Sequence, residues 1–294
     1  MATEFERPEL FATGGCWSLY DRLIDGVDES AIITDYAFGA NWSYVDSEAG
    51  CGVSFSASGG ARRGRGSDLR GMKLKDVACL AKSWCFEDAS LGVAALNAWY
   101  NNRQRIEDRR MTADFEEPDT VGYDVRRQLV GEKLDAFDLY RPSVEELGLS
   151  KGSKPKVTVV GHFPHVERIC EYADLVVLER KCSDGLDTPD PACEYVLPGT
   201  DFAFITGVTL INKTAPRLLQ LARGARVCMV GPSVVMSPEL FYQGAETLSG
   251  SIVVDPEELK FSVKRGYGRL FGRALKMCTV CSHGTPALAR SGTR

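Results

Sequence analysis

The sequence predicts an α/β protein in two parts: a parallel, doubly wound sheet after residue 150 and a smaller α+β part before it. Three observations carry this. Past residue 155, short apolar runs alternate with amphipathic stretches, the pattern of strands and crossover helices. Before it, two alternating runs precede one long apolar stretch of helical length. Between them, Lys151-Gly-Ser-Lys-Pro155 has linker composition and sets the expected boundary.

Residues 1–15 read as a loose lead-in, and Trp17–Ile24 places apolar residues at helical spacing before Gly26. Ala31–Ala40 and Asn41–Phe55 alternate and are broken by Asp46-Ser-Glu-Ala-Gly50, which predicts a hairpin or meander. Ser58-Gly-Gly-Ala-Arg-Arg-Gly-Arg-Gly-Ser67 reads as a surface loop; its functional counterpart would be a basic lid over an anion. Residues 86–101 predict a helix with Glu87, Ser90, Ala94, Asn97 and Asn101 on one stripe and apolar or small residues nearly everywhere else. A helix so apolar is expected to be buried, so the stripe should face partners. Residues 102–155 are charged and read as irregular.

In the second part strands are expected at Val157–Val160, Leu175–Leu178, Phe202–Thr206, Val227–Val230 and Leu248–Val254. Helices are expected at Pro164–Tyr172, Thr214–Ala222, Pro238–Gly244 and Pro256–Lys264. Ligands of such a sheet bind outside the carboxyl ends of its strands, here Gly161-His162, Glu179, Thr206-Gly207 and Gly231-Pro-Ser233. Residues 281–294 read as a flexible tail.

The 294 residues carry net charge −5, which offers no basic field for nucleic acid. No apolar run is long enough to span a membrane and no leader pattern opens the chain, so the expectation is cytoplasmic. The remaining partner classes are a small-molecule or metal ligand and a second copy of the chain in a homodimer. Ten cysteines, mostly inside apolar segments, read as reduced small hydrophobes; Cys278, Cys281 and His283 form the one close cluster with metal-ligand residue types.

Two of the three histidines, His162 and His165, flank the corner that follows the strand ending at Val160. Neutral imidazoles there can bind a metal or act as acid–base groups, and the dipole of a helix starting at Pro164 would lower their pKa. Glu179, eighteen residues past Gly161, sits where a dinucleotide fold places its ribose-binding acid. The G-x-G-x-x-G pattern is absent, so the spacing leaves a nucleoside or an S-adenosylmethionine-like ligand open.

Three segments carry a family resemblance: Lys82–Asn101, Val159-Val-Gly-His-Phe-Pro-His165, and Lys213–Leu219 with Val230-Gly-Pro-Ser233. They resemble the heavy-metal chelation family. The resemblance implies a domain similar to the N-terminal domain of enolase over residues 1–150, a Rossmann-like domain over 151–280, and a site in the cleft between them. It implies that Lys82, Ser83, Glu87, Ser90, Asn97 and Asn101 line one wall of that site. Gly161, His162, Phe163, Glu179, Thr206, Gly231 and Ser233 would line the other. The expected function is binding of a transition metal ion, alone or in a small organic ligand, with His162, Glu87 and His165 as its protein ligands. The alternatives are a transferase or lyase acting on a nucleotide-like ligand, and a non-enzymatic metal carrier.

Overall fold

A computed structural model describes residues 12–62, 68–106, 123–128, 136–266 and 270–282. It is a mixed α/β structure with a three-stranded antiparallel sheet and an eight-stranded, mostly parallel one.

The first part opens with helix α1 (Ser18–Asp25), whose Leu19, Tyr20, Leu23 and Ile24 are buried. Strands β1 (Ile33–Phe38), β2 (Trp42–Ser47) and β3 (Gly50–Phe55) form a meander whose two turns fall between the two alternating runs and within the Asp46–Gly50 break. Helix α2 (Leu74–Ala78) and a 3-10 turn, Cys79–Lys82, lead into α3 (Phe86–Tyr100). As expected from its composition, nearly every residue of α3 is buried. It lies so close to β3 that a Cβ on Gly52 would fall 2.0 Å from the Ala98 amide nitrogen.

The large sheet contains β4 (Tyr123–Gln128), β5 (Lys156–Val160), β6 (Asp174–Glu179), β7 (Asp187–Pro189), β8 (Phe202–Thr206), β9 (Arg226–Val230), β10 (Thr247–Val253) and β11 (Leu275–Ser282). Its order is β4-β11-β10-β9-β8-β5-β6-β7, parallel from β10 to β7 and antiparallel where β11 and β4 join. The chain leaves β5 toward β6 and β7, then crosses back to β8, β9 and β10. The switch point therefore lies between the ends of β5 and β8, where open α/β sheets bind ligands.

Period-two alternation splits the central strands between two cores. Val157, Val159, Phe202, Phe204, Cys228 and Val230 face one side, while Val160, Ala203, Ile205, Val227 and Met229 join the core containing α1 and α3 on the other. The first of these faces is covered by α4 (Ala136–Lys151), whose Phe137, Tyr140 and Val144 belong to the same cluster. The helix before the expected boundary at 150 thus packs on the sheet after it. Its three core residues recur at helical spacing, but the charged residues around them and Pro142 within the helix hid that stripe.

Short helices α5 (Cys193–Val196), α6 (Val208–Ile211) and α7 (Ala215–Leu221) follow. Helix α8 (Pro238–Tyr242) is capped by Ser237, whose Oγ accepts from the Glu239 amide. Helix α9 (Pro256–Arg265) is capped by Asp255, which accepts from the Glu258 amide. The Leu259 and Val263 side chains of α9 pack with Tyr44 and Val53, so the small sheet sits between α3 and α9. Lys264 donates to Asp35 at 2.6 Å and Lys260 to Asp46 at 2.6 Å, tying the C-terminal helix to the N-terminal sheet.

Two expectations are corrected. The α-helix at Pro164–Tyr172 is a 3-10 segment, Val166–Glu171, preceded by His165 in the left-handed region at φ 63°. Cys278 and Cys281 are both buried in β11, three residues apart and hence on opposite faces, so they cannot share a metal. Cys281 and Ser282 are strand residues, while His283 and the rest of the expected tail lie outside the described residues. Among the described residues no helix is long and apolar enough to cross a membrane.

Candidate functional site

The polar stripe of α3 meets the second half of the chain, as its composition required. Asn97 Nδ2 donates to the Val53 carbonyl at 2.8 Å and the Pro232 carbonyl at 3.1 Å. Asn101 Nδ2 donates to the carbonyls of Val234 and Ser251 at 2.8 and 3.2 Å, and its Oδ1 accepts from the Met236 amide at 2.8 Å. Ser90 accepts from the Ala57 amide and donates to the Phe86 carbonyl. From the opposite side, Ser233 Oγ accepts from the Phe55 amide at 2.8 Å. The stripe and the Gly231–Met236 loop are therefore a hydrogen-bonded seam. Asn97 Oδ1, fully buried there, has no partner among the described residues.

Glu87 stands at the exposed end of the stripe, where its carboxylate accepts from the Gly59 amide at 3.3 Å and the Cys85 thiol at 3.1 Å. Burial pushes the Cys85 thiol up to about 11. Lys82 is buried, with its ammonium on the Asp21 carboxylate and on the Ala12 carbonyl at 2.9 Å. It borders a cavity of about 640 Å³ whose described lining includes Asp21, Asp25, Glu29, Lys73 and Asp76, and no strand-end residue. Ser83 turns inward: its Oγ accepts from the Cys85 amide, and its carbonyl accepts from the Lys213 ammonium. That ammonium also bonds the Ile211 carbonyl at 2.6 Å and lies 5.9 Å from the Trp84 ring. The Lys82 and Lys213 motifs, 131 positions apart in the chain, thus meet.

At the switch point Gly161 adopts φ 101°, and a Cβ there would sit 3.0 Å from Thr206 Cγ2. Gly231, φ 106°, ends β9 in the same way. The Phe163 ring covers both glycines, its carbons 3.5 and 4.0 Å from where their Cβ atoms would be, and packs edge-on to Phe137.

His162 is held by two carboxylates. Its amide donates to Glu179 Oε2 at 3.0 Å, and its Nδ1 lies 3.0 Å from Asp187 Oδ1. The other Asp187 oxygen accepts from the Ser183 and Asp184 amides at 2.8 and 2.9 Å. An ionised carboxylate only accepts, so Nδ1 carries the hydrogen, and in the neutral ring Nε2 keeps the lone pair. No described residue bonds Nε2. The Asp187 hydrogen bond raises the His162 pKa, with partial burial opposing; the same pairing, after the Ser183 amide, lowers that of Asp187. The lowering expected from a helix dipole does not occur, because no α-helix starts here. Asp187 escaped sequence reading because a three-residue edge strand has no period to detect.

Glu179 gives its oxygens to amides rather than to open space: Oε2 to His162, and Oε1 to Arg180 and Lys181 at 2.8 and 3.2 Å. His165 is exposed, its Nδ1 3.7 Å from Glu167. His162, His165 and Glu87 are thus engaged by different partners. Among the described residues no group of three or more His, Cys, Asp or Glu side chains is placed to hold a metal ion. What the corner offers is one nitrogen, oriented by a buried carboxylate.

Two sequence models carrying the description "Putative heavy-metal chelation" match the chain, DUF4213 over residues 20–100 and DUF364 over 144–276. The chain is 26% identical over 273 residues to the uncharacterized protein MJ0500 of Methanocaldococcus jannaschii, spanning 88% of this chain and 93% of that one. A protein of unknown function from Pyrococcus horikoshii, PH1506, shares the fold at 18% identity and TM-score 0.67, covering 91% of this chain and 99% of its own. The crystal structure of a DUF364-family protein of unknown function from Desulfitobacterium hafniense superposes with TM-score 0.75 at 31% identity, over 91% of this chain and 99% of that one. Together with the matched motifs on both sides of the seam, this places the chain in the DUF364 family, described as "Putative heavy-metal chelation".

Proposed function

We propose that the corner at the carboxyl ends of β5 and β6 binds a transition metal already carried by a small organic ligand, with His162 Nε2 as the protein's donor atom. The observation that carries this is the His162–Asp187 pair. A carboxylate on Nδ1 fixes the tautomer and aims Nε2 outward, the arrangement that orients metal-binding imidazoles. One directed nitrogen, with no three-donor cluster among the described residues, suits a metal that brings the rest of its coordination sphere with it. Glu87 is not needed as a ligand in this reading: its carboxylate holds the Gly59 amide and the Cys85 thiol. The family description supports the metal, and the single donor supports an exchangeable complex.

The test is titration of the full chain with Co2+ alone and with the cationic Co2+–diethylenetriamine complex, followed by visible absorption. Wild type is expected to bind the complex and His162→Ala to lose it, while His165→Ala retains it. Asp187→Asn should weaken binding by about 10–100-fold. Equal binding by wild type and His162→Ala would overturn the assignment.

A further inference from the structure

We infer that Glu179 sets the charge selectivity of this corner: by filling its amide donors with the chain's own carboxylate, it excludes anionic ligands and favours cations. The second half of that statement rests on the metal reading above; the first stands on geometry alone.

Backbone amides at the carboxyl edge of a parallel sheet point outward and ordinarily cradle phosphate or carboxylate groups. Here three of them, from His162 after β5 and from Arg180 and Lys181 after β6, converge on Glu179 at 3.0, 2.8 and 3.2 Å. Two more, from Ser183 and Asp184, converge on Asp187. An incoming anion would have to displace a resident carboxylate that already makes three charge-assisted hydrogen bonds.

The side chains reinforce the exclusion. Arg180, the nearest cation in sequence, turns its guanidinium to Asp190 at 3.0 Å. Among the described residues no Lys, Arg or His side chain lies within 4.0 Å of the Glu179 carboxylate. Glu179 and Asp187 both stand against His162, one 3.0 Å from its amide and the other 3.0 Å from its Nδ1, so the corner carries negative charge. A phosphate-bearing nucleotide meets repulsion and finds these five amides already taken, whereas a metal cation meets an attractive field and one lone pair. Glu179 is thus a specificity-determining residue: it occupies the place where a ligand's anion would otherwise bind.

The experiment titrates inorganic phosphate into the wild-type chain, Glu179→Ala and Glu179→Gln, followed by calorimetry and by the amide resonances of His162, Arg180 and Lys181. Wild type is expected to show no phosphate-dependent shift. Glu179→Ala should gain phosphate affinity by at least about tenfold, with those three amides moving together. Phosphate binding to wild type at these amides would overturn the inference. So would a folded Glu179→Ala whose amides ignore phosphate. If the alanine variant fails to fold, Glu179→Gln and the wild-type arm still decide it. Adding His162→Ala separates the two ideas: loss of Co2+ binding without change in the phosphate gain reports on the metal donor alone.

Discussion

His162 Nδ1 stands 3.0 Å from Asp187 Oδ1, and the two residues reach each other only because a three-residue strand, β7, adds itself to the free edge of β6. The pair links a loop that follows β5 to the outermost strand of the sheet. Asp187 has no exposed side-chain surface, while the His162 side chain remains 40% exposed. One end of the imidazole is thereby fixed and the other left available.

Replacing Asp187 with Asn should lower the His162 pKa back toward its ordinary value of 6.5, read from ring nitrogen shifts across a pH titration. The sign for stability follows from linkage. A raised His162 pKa contributes stability that is complete below the unfolded value and is lost as pH rises through the folded one. A lowered Asp187 pKa contributes above its ordinary 3.8 and is lost as pH falls through its folded value. The gap in urea stability between wild type and Asp187→Asn should therefore be wider near about pH 5.5 than near about pH 8.5. An equal gap would contradict the pairing.

Asn101 makes three hydrogen bonds across the seam while only 3% exposed. Asn101→Ala leaves two carbonyls and one amide buried without partners, and should lose about 3 kcal/mol in urea unfolding. A loss below about 1 kcal/mol would mean that the seam is not held this way.

Gly52→Ala places a methyl against the α3 backbone, 2.0 Å from Ala98 N and 2.2 Å from Ala94 O. Backbone cannot yield as a flexible side chain would, so a loss above about 3 kcal/mol or failure to fold is expected. Gly185→Ala, where a Cβ meets nothing within 4 Å, is the matched control and should leave thermal stability nearly unchanged.

Tyr140 in α4 shares a 2.7 Å hydrogen bond with Thr247 in β10, and its ring packs on Phe202 and Phe204. Tyr140→Phe keeps the ring and should cost about 1 kcal/mol. A fragment beginning at residue 151 loses α4 and uncovers Phe202 and Phe204, so it should fail to give a cooperative thermal transition. A fragment that unfolds cooperatively would support the boundary at residue 150.

Local pattern determined much of the architecture. The apolar runs at β5, β8 and β9, the Pro-started helices α8 and α9, and the buried α3 follow from periods of two and 3.6, which neighbouring residues set together. The stripe Glu87, Ser90, Asn97, Asn101 was legible for the same reason, including that it must find partners. Which partners it found was decided by tertiary structure. Asn97 and Asn101 bind loop carbonyls more than 130 residues away, and Glu179 turns back onto the amides of its own corner. Asp187 lies on a strand too short to carry a period, and the core residues of α4 were masked by the charges around them. The helix expected after Pro164 gave way to a 3-10 turn, leaving His162 to a carboxylate rather than a dipole. Sequence determined where the corner lies, because strand, glycine and turn are local. Its charge, its free nitrogen and its resident anion arise only when distant carboxylates are brought to it by the order of the strands.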